Sequence, residues 1–164
     1  MQAKDLIGLT MQCVKAGLTG ISGAASTHST GATTLQYAIR GKAYSKAQIS
    51  GGTTPTTDDV SGSAITLTAN QGRVVVWSLD SSGNVKCQAG PVVDLDSAGA
   101  FIDGKMPPMP WVDLSSRAPF AYTVHKAGST TSGTWTFGTS NWNATGLTHT
   151  VVDVLQLPPR PQTS

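Results

Sequence analysis

Charge is scarce in this chain: Lys, Arg and Asp together make up 12% of its 164 residues, about half the usual share. The formal net charge is only +2, and the cations are scattered from Lys4 to Arg160 with no basic run. That pattern lacks the electrostatic footprint of a nucleic-acid binder. Cysteine is scarcer still. Cys13 and Cys87 lie far apart, form no CxxC, and read as two buried free thiols rather than a disulfide. No apolar run is long enough to span a bilayer. The N-terminus offers only Leu6–Leu9, broken by Gly8, so neither a signal peptide nor a membrane partner is expected, and the protein should stay soluble where it is made. Catalytic patterns are missing as well. There is no G-x-S-x-G elbow, and His28, His125 and His149 read as solvated strand or loop residues outside glycine-bounded turns. Asp94–Gly99 starts like a calcium loop, but Ala98 stands at the fifth position and Lys105 at the twelfth, so it reads as a polar turn. Gly41-Lys42 lacks both the earlier glycine and the following hydroxyl of a phosphate loop. The expectation is a protein without catalytic residues, metal or cofactor.

What the chain has instead is Thr, Val, Gly and Ser in short alternating runs, the composition of strands and turns. Leu35, Tyr37 and Ile39 share one face of a strand, Arg40-Gly41-Lys42 turns, and Ala43–Ile49 returns as the hairpin partner. Asp58 or Asp59 can cap one helical turn in the long polar stretch that follows. Arg73–Leu79 is an almost unbroken apolar run, the pattern of a central strand buried on both faces. Asp80–Asn84 is a hairpin turn returning through Val85 and Cys87, and Pro91–Leu95 adds a short strand. Pro119–Lys126 alternates, with Phe120, Tyr122 and Val124 inward and Thr123 and His125 outward. Between these runs, Pro107, Pro108 and Pro110 fix φ and remove donors, so residues 103–119 form an irregular crossing anchored by Met109 and Trp111. Residues 1–32 read as an extended arm, 33–157 as the β domain and 158–164 as a proline-rich tail. The predicted fold is all-β: one sandwich, jelly-roll-like or small-barrel domain.

Trp77 and Trp135 read as core. Trp111 and Trp142, flanked by proline-rich or polar loops, fit either core or an intersubunit contact.

Several stretches carry a resemblance. Tyr37–Tyr44 (YAIRGKAY), Gly52–Asp58 (GTTPTTD), Asn70-Gln71-Gly72 before VVVW, Ala118–Tyr122 (APFAY), Thr134–Gly138 (TWTFG) through Asn143, Val152–Val154 and Leu157–Gln162 occur in this order over residues 35–162. Together they resemble small virion structural proteins of tailed bacteriophages, of the capsid decoration or cement kind. The resemblance implies a β-fold, commonly a homotrimer, that is made in the host cytoplasm. It would sit outside an icosahedral shell, bind the major capsid protein and bridge adjacent capsomers. Several weak contacts made at once raise avidity by roughly 10²–10⁴. On that reading Gly17–Gly31 and Pro158–Ser164 would be lattice-touching arms. Met106, Met109 and Trp111 would form a capsid- or trimer-facing patch, joined by Trp142, Pro158, Pro159 and Arg160. Removing residues 1–31 would then abolish capsid retention and leave a folded core. A fibre- or tail-associated protein recognising a host glycan through Trp142 and Asn143 is the alternative, although the chain shows no shaft repeat and no heptads.

Overall fold

The computed structural model describes residues 9–104 and 106–161. In chain order the strands are β1 (Met11–Gln12), β2 (Leu18–Thr19), β3 (Thr27–Thr30), β4 (Thr34–Ile39), β5 (Lys42–Ala47), β6 (Gly52–Thr53) and β7 (Thr66–Leu67). They continue as β8 (Gln71–Leu79), β9 (Val85–Ala89), β10 (Val93–Asp94), β11 (Ala118–Ala127), β12 (Trp135–Thr136) and β13 (Leu147–Asp153). All pairings are antiparallel and no α-helix occurs among the described residues. The sheets pack on one another in a sandwich-like domain without closing into a barrel.

β8 is the spine. It pairs with β11 along one edge and with β9 and then β10 along the other, while β13 extends the sheet beyond β11. Its apolar run arises because both faces are covered. Val75, Trp77 and Leu79 enter a large core with Leu35, Tyr37, Phe137 and Trp142. Val74 and Val76 enter a smaller one with Leu95, Phe101, Val112, Tyr122 and Val154. Coverage of both faces also corrects the expected alternation along β11. The register shifts between Pro119 and Ala121, so Phe120 is an extra residue opposite β8 and joins the large core, away from Tyr122 and Val124. Thr123 and His125, expected outward, are fully buried under the aromatic cluster of the large core.

The second sheet, β1-β4-β5, is built on a two-residue hairpin with Arg40 and Gly41 at φ 52° and 80°. Paired positive φ values match the twist of the flanking strands. Leu35, Tyr37 and Ile39 point to the core as expected, and the Tyr37 hydroxyl donates to the Asp80 carbonyl at 2.8 Å. The Asp80 carboxylate holds its own turn, accepting from Ser82 N, Asn84 N and Asn84 Nδ2.

Of the segment expected as an arm, residues 9–32 belong to the body, and residues 1–8 lie outside the described residues. Ala16, Leu18, Ile21, His28 and Thr30 are all buried. β2-β3-β6 forms a small sheet, and the Leu18 amide donates to Asp153 Oδ1 at 2.9 Å. Gly17 and Gly31 are in near contact, and a Cβ on Gly17 would stand 3.2 Å from the Gly31 Cα. Small residues read as flexibility are therefore the condition for close backbone packing. Cys13 is exposed, against the expectation of a buried thiol, whereas Cys87 is buried and burial raises its pKa well above the usual thiol range. Both are free.

Candidate functional site

Residues 106–117 cross the outer side of the smaller core. Proline denies this stretch a ladder, so side chains hold it. Gln88 Nε2 donates to the Trp111 carbonyl at 2.6 Å, and Thr10 Oγ1 donates to the Leu114 carbonyl at 2.7 Å. Val112 is buried in the smaller core. Gly90 is needed for the approach, since a Cβ there would lie 2.8 Å from the Pro108 carbonyl oxygen. Downstream, the Asp113 carboxylate accepts from the Ser115 hydroxyl and amide and from the Ser116 hydroxyl, bonds that keep its pKa below the usual carboxylate range. Asp59 ties this end to β9: Arg117 Nη2 and Nε lie 2.8 and 2.9 Å from its Oδ2, and Lys86 Nζ is 3.3 Å from its Oδ1.

On that frame the Trp111 ring stands 71% exposed beside Val60 (65%). A cleft of about 310 Å³ opens next to it, walled by Met109, Pro110, Pro91 and Ala89 and floored by Asp58 and Gln88. Asp58 does not offer free acceptors. Burial opposes its charge, but donation from Ala89 N to Oδ2 and from Val60 N and Ser61 N to Oδ1 outweighs that and leaves its pKa below the usual range. The same bonds show it holding a turn at residues 59–61, as expected of Asp58, but the turn is not helical. The result is a fixed, largely apolar surface around one exposed indole, with no free charge at its centre.

Of the residues singled out from sequence, the structure brings Met109 and Trp111 together at this cleft. Met106 is half-buried against the smaller core, as is Leu157 at the start of the tail. Pro158 is half-buried, Pro159 and Arg160 are exposed and Pro161 is buried, so the tail lies against the body as far as Pro161, and residues 162–164 lie outside the described residues. Trp142 is a correction. Its ring is buried, only 1% exposed, and its Nε1 donates to the Thr27 carbonyl at 2.8 Å, so it serves no interface and no glycan platform. Its polar neighbours mark a loop that folds inward to satisfy that donor. Sequence reasoning missed Val60, an apolar residue in a polar turn, and gave Pro91 no part beyond its short strand; their convergence on this cleft depends on tertiary structure.

The histidines are also corrected. His28 is 2% exposed, and burial lowers its pKa to about 4. His125 and His149 face each other across β11 and β13 and form a chain whose protons follow from the donors. His149 Nε2 donates to the Trp142 carbonyl at 2.7 Å, so in the neutral ring Nδ1 accepts from His125 Nδ1–H at 2.6 Å. His125 Nε2 then accepts the Thr123 hydroxyl at 2.6 Å, and Thr123 Oγ1 accepts Trp77 Nε1–H at 3.0 Å. Every member is satisfied with both rings neutral. Burial, and then the neighbouring His149 and Arg73, push the His125 pKa far down; burial lowers that of His149. Thr123 next to His125 has the atoms of a nucleophile–base pair. Both residues are fully buried, however, and no carboxylate orients the ring.

Among the described residues no group of three or more His, Cys or Asp side chains could hold a metal. No helix among them is long and apolar enough to cross a membrane. Asp96 Oδ1 accepts from Ala98 N and Ala100 N, the polar turn expected of Asp94–Gly99. No family model, curated protein or solved structure matches this chain.

Proposed function

We propose that this chain is a virion structural protein of the decoration kind, which binds the outer surface of a tailed-phage capsid and bridges capsomers. In this reading the Trp111 surface is the seat for a neighbouring chain. The observation that carries it is the exposed indole held on a hydrogen-bonded, proline-stiffened frame beside an apolar cleft. An exposed aromatic on a pre-organised frame loses little conformational entropy on docking, and such residues dominate interface energetics. The low charge of the chain fits the same role, because few charged groups must be desolvated when neighbours cover it. The homotrimer and the major capsid protein as partner follow from the resemblance of residues 35–162 to cement proteins.

The experiment is reconstitution. Purified protein is mixed with undecorated heads of a tailed phage that encodes it, and the bound fraction is read by sedimentation and cryo-electron microscopy. Saturable binding at regular lattice positions, lost in Trp111→Ser at unchanged stability, is the expected result. Failure to bind such heads while adsorbing to host cells would replace this reading with the glycan-binding one.

A further inference from the structure

The β4–β5 hairpin carries a second surface, unrelated to Trp111. Its hydrogen-bond phase follows from the turn. In a two-residue hairpin the flanking residues Ile39 and Lys42 exchange both bonds, so Tyr37/Tyr44 and Leu35/Lys46 do likewise. The Cys13 amide donating to the Gln36 carbonyl at 2.7 Å confirms that even-numbered residues of β4 face β1. Ala43, Ser45 and Ala47 therefore aim their N–H and C=O groups away from β4, and β5 has no other partner strand among the described residues. All three residues are exposed and small. This is an open strand edge.

Its charge is one-sided. Arg40, Lys42 and Lys46 stand on the hairpin with no acid among them, more positive charge than the net +2 of the whole chain. None of the three has an ion-pair partner among the described residues, and the Asp80 carboxylate below them is engaged in its own turn. Two clefts flank the inner side of the strand. One, of about 380 Å³, is lined by Arg40, Lys42, Tyr44, Ser115 and Arg117. The other, of about 300 Å³, is lined by Lys46, Ile49, Gly83 and Asn84. A strand added beside β5 puts alternate side chains over these clefts, next to Lys42, Tyr44 and Lys46.

We infer that β5 accepts an extended acidic segment of another protein as an added antiparallel or parallel strand. Main-chain bonds to Ala43, Ser45 and Ala47 supply the pairing, and carboxylates at alternate positions meet Lys42 with Arg40 and, four residues along, Lys46. The same lysines disfavour a second copy of β5, since edge cations are a common device against self-pairing, and this makes the edge selective for opposite charge.

The test sorts a yeast-displayed library of random nine-residue peptides against the full chain at low salt, then retests enriched peptides on two variants. Enriched peptides should carry Asp or Glu at alternate positions, and affinity should fall about tenfold or more in Ser45→Pro. That proline removes an outward amide and spares the β4 ladder. Hydrogen exchange at the Ala43, Ser45 and Ala47 amides should slow on adding an enriched peptide. The double variant Lys42→Glu/Lys46→Glu should invert the selection toward Lys and Arg, and it decides the matter if the proline variant unfolds. Enrichment without acidic bias, no enrichment, full binding to Ser45→Pro, or unchanged exchange at those amides overturns the inference. Protection of the same amides that rises with protein concentration alone assigns the edge to a second copy and also overturns it. No capsid enters this assay, so its outcome is separable from that of the reconstitution.

Discussion

Trp142 and Trp111 are two tryptophans in irregular segments, each flanked by residues that read as loop, and the fold treats them oppositely. Trp142 is enclosed by Trp77, Trp135, Phe137 and the His125–His149 pair, with its indole N–H on Thr27 and its carbonyl on His149. Trp111 keeps its ring in solvent and contributes only its carbonyl, to Gln88. The difference lies in the polar groups nearby. Around Trp142 the strands present buried donors and acceptors that need partners, and a side chain with one N–H and a large apolar surface completes them. Around Trp111, prolines have already removed the donors and the backbone carbonyl alone is claimed. One tryptophan closes a core; the other is left for something outside it.

The comparison breaks first at the N-terminal segment. Removing residues 1–31 deletes the Thr27 carbonyl and five buried side chains from Ala16 to Thr30. The expected outcome is loss of the cooperative unfolding transition, not the folded core that an arm would leave; a two-state urea curve from the truncated chain would count against this packing. Next in size, Trp142→Ala should cost about 3–5 kcal/mol, the usual range for emptying a large aromatic site. Urea denaturation measures it, and a loss below about 1 kcal/mol would mean that the ring is not enclosed as described.

Acid gives a graded version. The folded-state pKa of His28 is about 4, and those of His125 and His149 are also lowered, against 6.5 for the free side chain. Well above pH 6.5 all three are neutral in both states and stability is unaffected. As pH falls from 6.5 toward 4 the unfolded chain takes up protons that the folded chain refuses, so stability declines. Urea midpoints at pH 7.5, 6, 5 and 4.5 should fall steadily, with up to three protons taken up on unfolding. In His149→Phe the uptake should drop by about one proton. A midpoint that is flat across this range would show that the pair charges freely in the folded state.

Much of the architecture was legible because strand signals are local. The spine Arg73–Leu79, the Arg40-Gly41 and Asp80–Asn84 turns and the short strand near Val93 announce themselves through apolar runs, turn residues and alternation. What failed depended on neighbours. Thr123 and His125 alternate as though facing water, yet a second layer covers them. The bulge at Phe120 leaves no mark in sequence, and Gly17–Gly31 looks like a linker because close packing and flexibility use the same small residues. The His125–His149 pair is visible only once the β11–β13 register is known. At the candidate interface, Met109 and Trp111 were legible as unusual residues among prolines, while Val60 was not, being brought there by a turn far away in the chain.

The smallest expected effect is the most discriminating. Trp111→Ser removes a ring that is mostly in water, and the loop remains held by Gln88, Val112 and the Asp59 pair with Arg117. Stability should change by no more than about 0.5 kcal/mol, as for a surface substitution away from caps and cores. Because the Gln88 bond is to the Trp111 backbone, the substitution leaves it in place, whereas Gln88→Ala frees the loop and should cost about 1 kcal/mol. If Trp111→Ser proved the costlier of the two in urea denaturation, the indole would be supporting its own fold. The contrast with Trp142 would then be one of degree.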